Sequence, residues 1–170
     1  MFYNASSFNQ DISSWDVTNI QRLGLGAMFY GASSFNQDIS SWDVSNNKDF
    51  TFMFRGASSF NQDISSWDVS KGTDFTGMFQ DAELFNQDIG DWDVSNSSWF
   101  WYMFSGASSF NQNISFWVVD DNDELNDMFY GANLMKLNQG VSDTPSNTYF
   151  NKRFLDISNH QVGTNYHLQH

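Results

Sequence analysis

The side chains of this 170-residue sequence that could do chemistry fall in rows. Asp11, Asp38, Asp63 and Asp88 hold the same place in successive Phe-Asn-Gln-Asp-Ile motifs, and Asn113 takes the fifth place. Asp16, Asp43, Asp68 and Asp93 form a second row inside Trp-Asp-Val, which Val118 breaks. At the ~4.8 Å spacing of neighbouring strands, like charges repel by roughly 3.5 kcal/mol at an effective dielectric of 20, and by about 1 kcal/mol in water. Such rows are tolerable in two ways. In one, the first row accepts backbone N–H bonds from its turn and the second is solvated. In the other, Ca²⁺ bridges adjacent carboxylates, which offer the oxygen ligands that it takes. The calcium candidates are then Asp38, Asp63, Asp88, Asp43, Asp68 and Asp93. Neither a Gly-Gly-x-Gly-x-Asp repeat nor an EF-hand spacing accompanies them, so turn capping is preferred and no cofactor is expected.

Catalytic groupings find little footing. His160, His167 and His170 all lie in the last eleven residues, where solvation is the ordinary state. Gly-x-Ser-x-Gly, a phosphate loop and His-Glu-x-x-His are all missing from the sequence. Paired carboxylates of the kind that hydrolyse glycosides recur in every coil alike, and abundance without asymmetry is not a site. The sequence reads as non-enzymatic. An amide row, Asn9, Asn36, Asn61, Asn86, Asn111 and Asn138, each followed by Gln, reads as a ladder that fixes register.

Binding is better sought where the repetition fails. In "SSWFWYMF", Trp99, Trp101 and Tyr102 surround the core residue Phe100, where other coils place Asp49, Thr51 and Phe52 or Asp74, Thr76 and Gly77. In "SFWVVDD", Phe116 and Val118 stand where earlier coils have Ser and Asp. Exposed Trp and Tyr are enriched at interface hot spots. A partner contact is favoured for Trp99 and Trp101, and cover by the C-terminal tail for Phe116 and Val118.

These positions depend on a repeat. Met28, Met53, Met78, Met103 and Met128 are 25 residues apart, as are Trp42, Trp67, Trp92 and Trp117. Trp15 precedes Trp42 by 27, which places a two-residue insertion within "RLGLGA". Residues 1–139 read as five coils plus a partial sixth, with Leu137, Asn138 and Gln139 its last echo. Residues 140–170 read as a non-repetitive capping tail that carries Tyr149, Phe150, Phe154, Leu155 and Ile157. Position 1 is already the Met of a Met-Phe pair, so the chain reads as part of a longer one.

Within a coil, Trp-Asp-Val alternates in, out, in, as a short strand does, and Phe50, Met53, Phe54 and Ala57 have the spacing of one helical face. The expectation is an α/β repeat, a leucine-rich-repeat-like right-handed solenoid with a short parallel strand and a helical turn per coil. Met and Phe at that spacing are core, because one coil cannot bury them and a stack can.

A net charge of −13 with seven basic residues argues against nucleic acid. No apolar run approaches a membrane span and no signal peptide is visible. The absence of cysteine excludes disulfides and thiolate chemistry.

"FNQDISSWDVSN" followed by "MFxGA" resembles the repeat of BspA-like bacterial surface proteins, including those of Mycoplasma and Listeria type, over roughly residues 1–139. The resemblance implies a leucine-rich-repeat relative displayed at a cell surface for adhesion or partner binding, with no reaction attached. One departure stands out. Where such repeats carry an aliphatic residue after Trp-Asp-Val-Ser-Asn, this chain has Ile20, Asn47, Gly72, Ser97 and Asn122. The leading expectation is a cell-surface module that binds a protein. The alternatives are a self-associating array or filament element, and a carbohydrate-binding module built on exposed aromatics.

Overall fold

A computed structural model describes residues 1–20 and 24–151. The chain stacks its repeats one on another, but it builds them from turns. Among the described residues the only α-helix is α1, Asn133–Gln139, and the only other helical segment is a 3₁₀ turn at Asn147–Tyr149. Among these residues no sheet forms either, and parallel pairing is confined to isolated bridges, Asp49 to Asp74, Asp74 to Trp99 and Trp99 to Glu124. The expected α/β leucine-rich-repeat solenoid, with a strand and a helical turn per coil, is therefore not what this sequence folds into.

The backbone shows why the helical period was misleading. Phe52 and Gly56 have positive φ, 53° and 70°, and the pair recurs as Gly77 and Asp81, Tyr102 and Gly106, and Asp127 and Gly131. A left-handed residue interrupts a right-handed helix. Two of them four residues apart divide the segment into successive β-turns, in which Met53, Arg55 and Ala57 donate to the carbonyls three residues earlier. The N–H groups of Phe50, Phe52, Phe54 and Gly56 are thereby turned outward to the carbonyls of Asp74, Thr76, Met78 and Gln80 in the next coil. A four-residue turn repeat and a 3.6-residue helix place the same side chains on one face. Phe50, Met53, Phe54 and Ala57 are buried in either case.

The Trp-Asp-Val segment keeps its alternation and lacks the ladder. Trp67 and Val69 are buried and Asp68 is exposed, yet no backbone bridge joins these segments. Cross-coil bonding here runs through indoles. The Nε1–H groups of Trp42, Trp67, Trp92 and Trp117 donate to the carbonyls of Ile12, Ile39, Ile64 and Ile89, at 3.1–3.2 Å. Beside them run ring columns. Phe35, Phe60, Phe85 and Phe110 stack with centroids 5.8, 6.0 and 5.9 Å apart, wider than the ~4.8 Å of a paired strand. Within a coil, Phe54 and Phe60 stack at 4.0 Å.

The chain doubles back after α1. Gly140 takes φ 68° at its end. The N–H of Phe129 donates to the Asp143 carbonyl and that of Asp127 to Thr144 Oγ1, bonds that earlier coils make to a following coil. Phe150 is buried, and Asn151 bonds the backbone of Trp117 and Val119. Residues 140–151 thus lie on the fifth coil. Phe154, Leu155 and Ile157, the three histidines, and Arg22 and Leu23 of the insertion lie outside the described residues. Leu137, Asn138 and Gln139 belong to α1 and do not continue the Phe-Asn-Gln motif. Met135 fills the place of its phenylalanine, 25 residues after Phe110.

Candidate functional site

Both aspartate rows are turn caps. In the first, Asp11, Asp38, Asp63 and Asp88 accept the backbone N–H two residues on, at 2.9–3.0 Å. In the second, Asp16, Asp43, Asp68 and Asp93 do the same at 3.0–3.1 Å, so these carboxylates are bonded as well as solvated. The backbone N–H of Ser40, followed by its hydroxyl, holds the Asp38 carboxyl below the usual carboxylate range, and Ser13 and Ser65 act likewise on Asp11 and Asp63. For Asp16, Asp43 and Asp68 the hydroxyl of Thr18, Ser45 or Ser70 is the larger cause and the backbone N–H the next. Repulsion along the row acts in the opposite direction. Asp11 and Asp63 raise Asp38, but by less than the hydrogen bonds lower it. Among the described residues no group of three His, Cys, Asp or Glu is placed to hold a metal ion.

The amide row binds within the stack. Asn36, Asn61 and Asn86 each accept at Oδ1 the backbone N–H of the next Asn in the row, at 2.9 Å. The Gln of that next coil donates to the same residue. The ladder stops at Asn111, whose buried Oδ1 has no hydrogen-bond partner among the described residues, because α1 follows instead of a sixth motif.

The position after Trp-Asp-Val-Ser-Asn is filled case by case. Asn47 bonds Leu25 N and the Asp49 carbonyl, Ser97 is buried with its hydroxyl on the Thr73 carbonyl, and the Phe75 ring occupies the space where a Cβ at Gly72 would stand.

The breaks in the repeat fall in two places. Trp99 lies in the bridge column, paired to Asp74 on one side and Glu124 on the other, and is 43% exposed. Trp101 and Tyr102 follow on the turn that the left-handed Tyr102 makes, and Tyr102 is 39% exposed. The Trp99 and Trp101 rings meet edge to face, with centroids 5.4 Å apart at 89°. Trp101 Nε1–H donates to Glu124 Oε2 at 3.1 Å, and Asn126 Nδ2–H donates to the same oxygen at 3.2 Å. Phe116 lines a separate depression with Asp88, Gly90, Gln112 and Asn113. Val118 is 42% exposed. Asn151 pairs with the backbone on either side of Val118 and leaves the side chain outward.

The structure adds residues to this outward aromatic set. Tyr3 stacks on Tyr30 at 4.4 Å, and Tyr30 meets Phe52 edge to face at 6.4 Å and 83°. The Arg55 guanidinium lies 5.2 Å from both the Tyr30 and the Phe52 centroids. Tyr130 is exposed in the fifth coil. The signal was in the sequence, since "MFY" recurs at 1–3, 28–30 and 128–130.

The chain matches, over residues 1–82 and again over 45–144, the family described as "Mycoplasma protein of unknown function, DUF285". It belongs to that family. No curated protein and no solved structure matches it. Among the described residues no helix is long and apolar enough to cross a membrane.

Proposed function

We propose that this member of a Mycoplasma-type family is a non-enzymatic module of the BspA-like kind, displayed at a cell surface, whose outward aromatic face binds a protein. The observation that carries this reading is the placement of Trp99, Trp101 and Tyr102. The stack has an interior for aromatic rings, filled by its Phe columns, and these three stand outside it, Trp99 in the bridge column where the preceding coil has Asp74, and Trp101 and Tyr102 on the turn where it has Thr76 and Gly77. Large amphipathic rings held by a rigid stack give contact area at low entropic cost, which is how hot spots work. The repeated carboxylates support the same reading, since each is engaged with its own turn and none is set apart for chemistry.

The test uses beads coated with the whole chain and applied to cultured animal cells. Adhesion is expected to fall when the cells are treated with trypsin and when the chain carries Trp99→Ala, Trp101→Ala and Tyr102→Ala together, with its circular dichroism unchanged. Equal adhesion by the triple variant overturns the reading. Adhesion that survives trypsin and is lost to glycosidases transfers the face to the carbohydrate-binding alternative. Concentration-dependent sedimentation of the free chain, abolished by the triple variant, transfers it to self-association.

A further inference from the structure

The outward face contains two perpendicular ring pairs, and they differ in what accompanies them. Tyr30 and Phe52, from adjacent coils, meet at 83° and receive the chain's own guanidinium, Arg55, at 5.2 Å from each centroid. Trp99 and Trp101, within one coil, meet at 89°. Ser105 and Tyr130 occupy the places equivalent to Arg55 in the fourth and fifth coils, so these coils supply no cation there. A carboxylate accompanies the second pair instead. Glu124 sits one coil below Trp99 in the bridge column, and both hydrogen bonds that its carboxylate accepts among the described residues fall on Oε2. The charged residues nearest it in sequence, Asp120, Asp121, Asp123 and Asp127, are also acidic. The one ion pair among the described residues is Lys136 with Asp143, elsewhere in the chain.

We infer that Trp99, Trp101 and Glu124 form a seat for an arginine side chain of the partner protein, a reading that rests on the protein-binding function proposed above. A guanidinium stacks on aromatic faces and hydrogen-bonds carboxylates in one plane, and indole is the best ring for a cation. Trp101 Nε1–H fixes the Glu124 carboxylate beside the rings and leaves Oε1 to accept from the incoming group. The net charge of −13 favours the approach of a basic partner. Arg55 shows that this face already holds a guanidinium over a right-angled pair when one is available.

The experiment titrates the ¹⁵N-labelled chain with N-acetyl-arginine methylamide and follows the indole N–H resonances. The expected result is a saturable shift at Trp99 and Trp101, with Trp42, Trp67 and Trp92 unmoved. The uncharged citrulline analogue is expected to give none. Glu124→Gln keeps an acceptor for Trp101 and removes the charge, and is expected to weaken the arginine probe roughly tenfold. Trp99→Ala is expected to remove the response while the buried indoles stay in place. Equal shifts with citrulline, an unweakened Glu124→Gln, or movement of all the indoles together overturns the inference. Tetramethylammonium binding as tightly as arginine also overturns it, in favour of a quaternary ammonium. Adhesion through the aromatic face with no arginine response sinks this inference alone. An arginine response without any loss of adhesion in the triple variant sinks the proposed function alone.

Discussion

The indole Nε1–H of Trp67 donates to the carbonyl oxygen of Ile39, 3.2 Å away in the preceding coil. A side chain thereby does what a backbone amide does in a sheet, and does it inside the core, where an unpaired carbonyl is costly. Trp67→Phe retains most of the ring and orphans the carbonyl, so it is expected to cost about 1–3 kcal/mol. Trp67→Ala adds a cavity and is expected to cost about 3–5 kcal/mol. Urea unfolding at neutral pH measures both. A Phe variant within about 0.5 kcal/mol of wild type would show that the bond contributes little net stability.

That relationship also marks where the sequence could be read and where it could not. The in-out-in alternation of Trp-Asp-Val was legible, and the burial of Trp67 and Val69 follows it. Its strand was not, because alternation reports which side chains are inward and says nothing of what the backbone bonds to. The helical face was illegible for a second reason. Left-handed backbone at Phe52 and Tyr102 is a conformation that these residue types rarely adopt, and a four-residue turn repeat buries the same positions as a helix. The glycine column Gly31, Gly56, Gly106 and Gly131, with Gly77 in the column of Phe52, was the hint at it. At the candidate site, Trp99 and Trp101 stood out as breaks in the repeat. Glu124 did not, since it becomes their neighbour only through stacking, one 25-residue period after Trp99.

The left-handed positions make a graded prediction. Gly56 and Gly77 both have positive φ, 70° and 56°. An alanine Cβ at Gly56 would meet only Gly31 backbone at 3.5 Å, whereas at Gly77 it would run into the Phe52 ring. Gly56→Ala is therefore expected to cost the backbone strain alone, about 1–2 kcal/mol, and Gly77→Ala clearly more. Adding Phe52→Ala to Gly77→Ala should recover the excess in a double-mutant cycle. Equal costs at the two glycines would contradict the close approach of the Phe52 ring.

Asn151 is one of the residues that tie the tail to the end of the stack, beside Asp143, Thr144 and Asn147. Asn151 accepts from Val119 N–H at 3.1 Å through Oδ1 and donates to the Val119 carbonyl at 2.8 Å through Nδ2. Asn151→Ala removes both bonds and is expected to cost about 1–3 kcal/mol. Its specific mark is local: amide exchange at Val119 should accelerate while Phe54 and Phe79 in the middle coils stay protected. Uniform acceleration along the chain would mean that the stack opens as a whole and not from this end.

Acid should loosen the turns in a defined direction. Asp11, Asp16, Asp38, Asp43, Asp63 and Asp68 are held below their ordinary value of 3.8 by the hydrogen bonds of their own turns. A carboxyl depressed in the folded state binds fewer protons there than in the unfolded chain. Its contribution is therefore present above the unfolded value and is lost as pH falls through the lower folded one. The melting temperature is expected to fall as pH drops below about 4, with six such groups acting together. The fifth coil supplies the control, because Asn113 Oδ1 accepts the Ser115 N–H at 3.1 Å and keeps the same turn without a titrating group. Asp38→Asn with Asp63→Asn should then lower the neutral-pH melting temperature slightly, since the bonds to the ionised carboxylates outweigh the repulsion along the row that the change removes. It should flatten the acid slope. Thermal melts across that pH range decide the matter: a slope as steep in the double Asn variant as in wild type would place the acid sensitivity elsewhere.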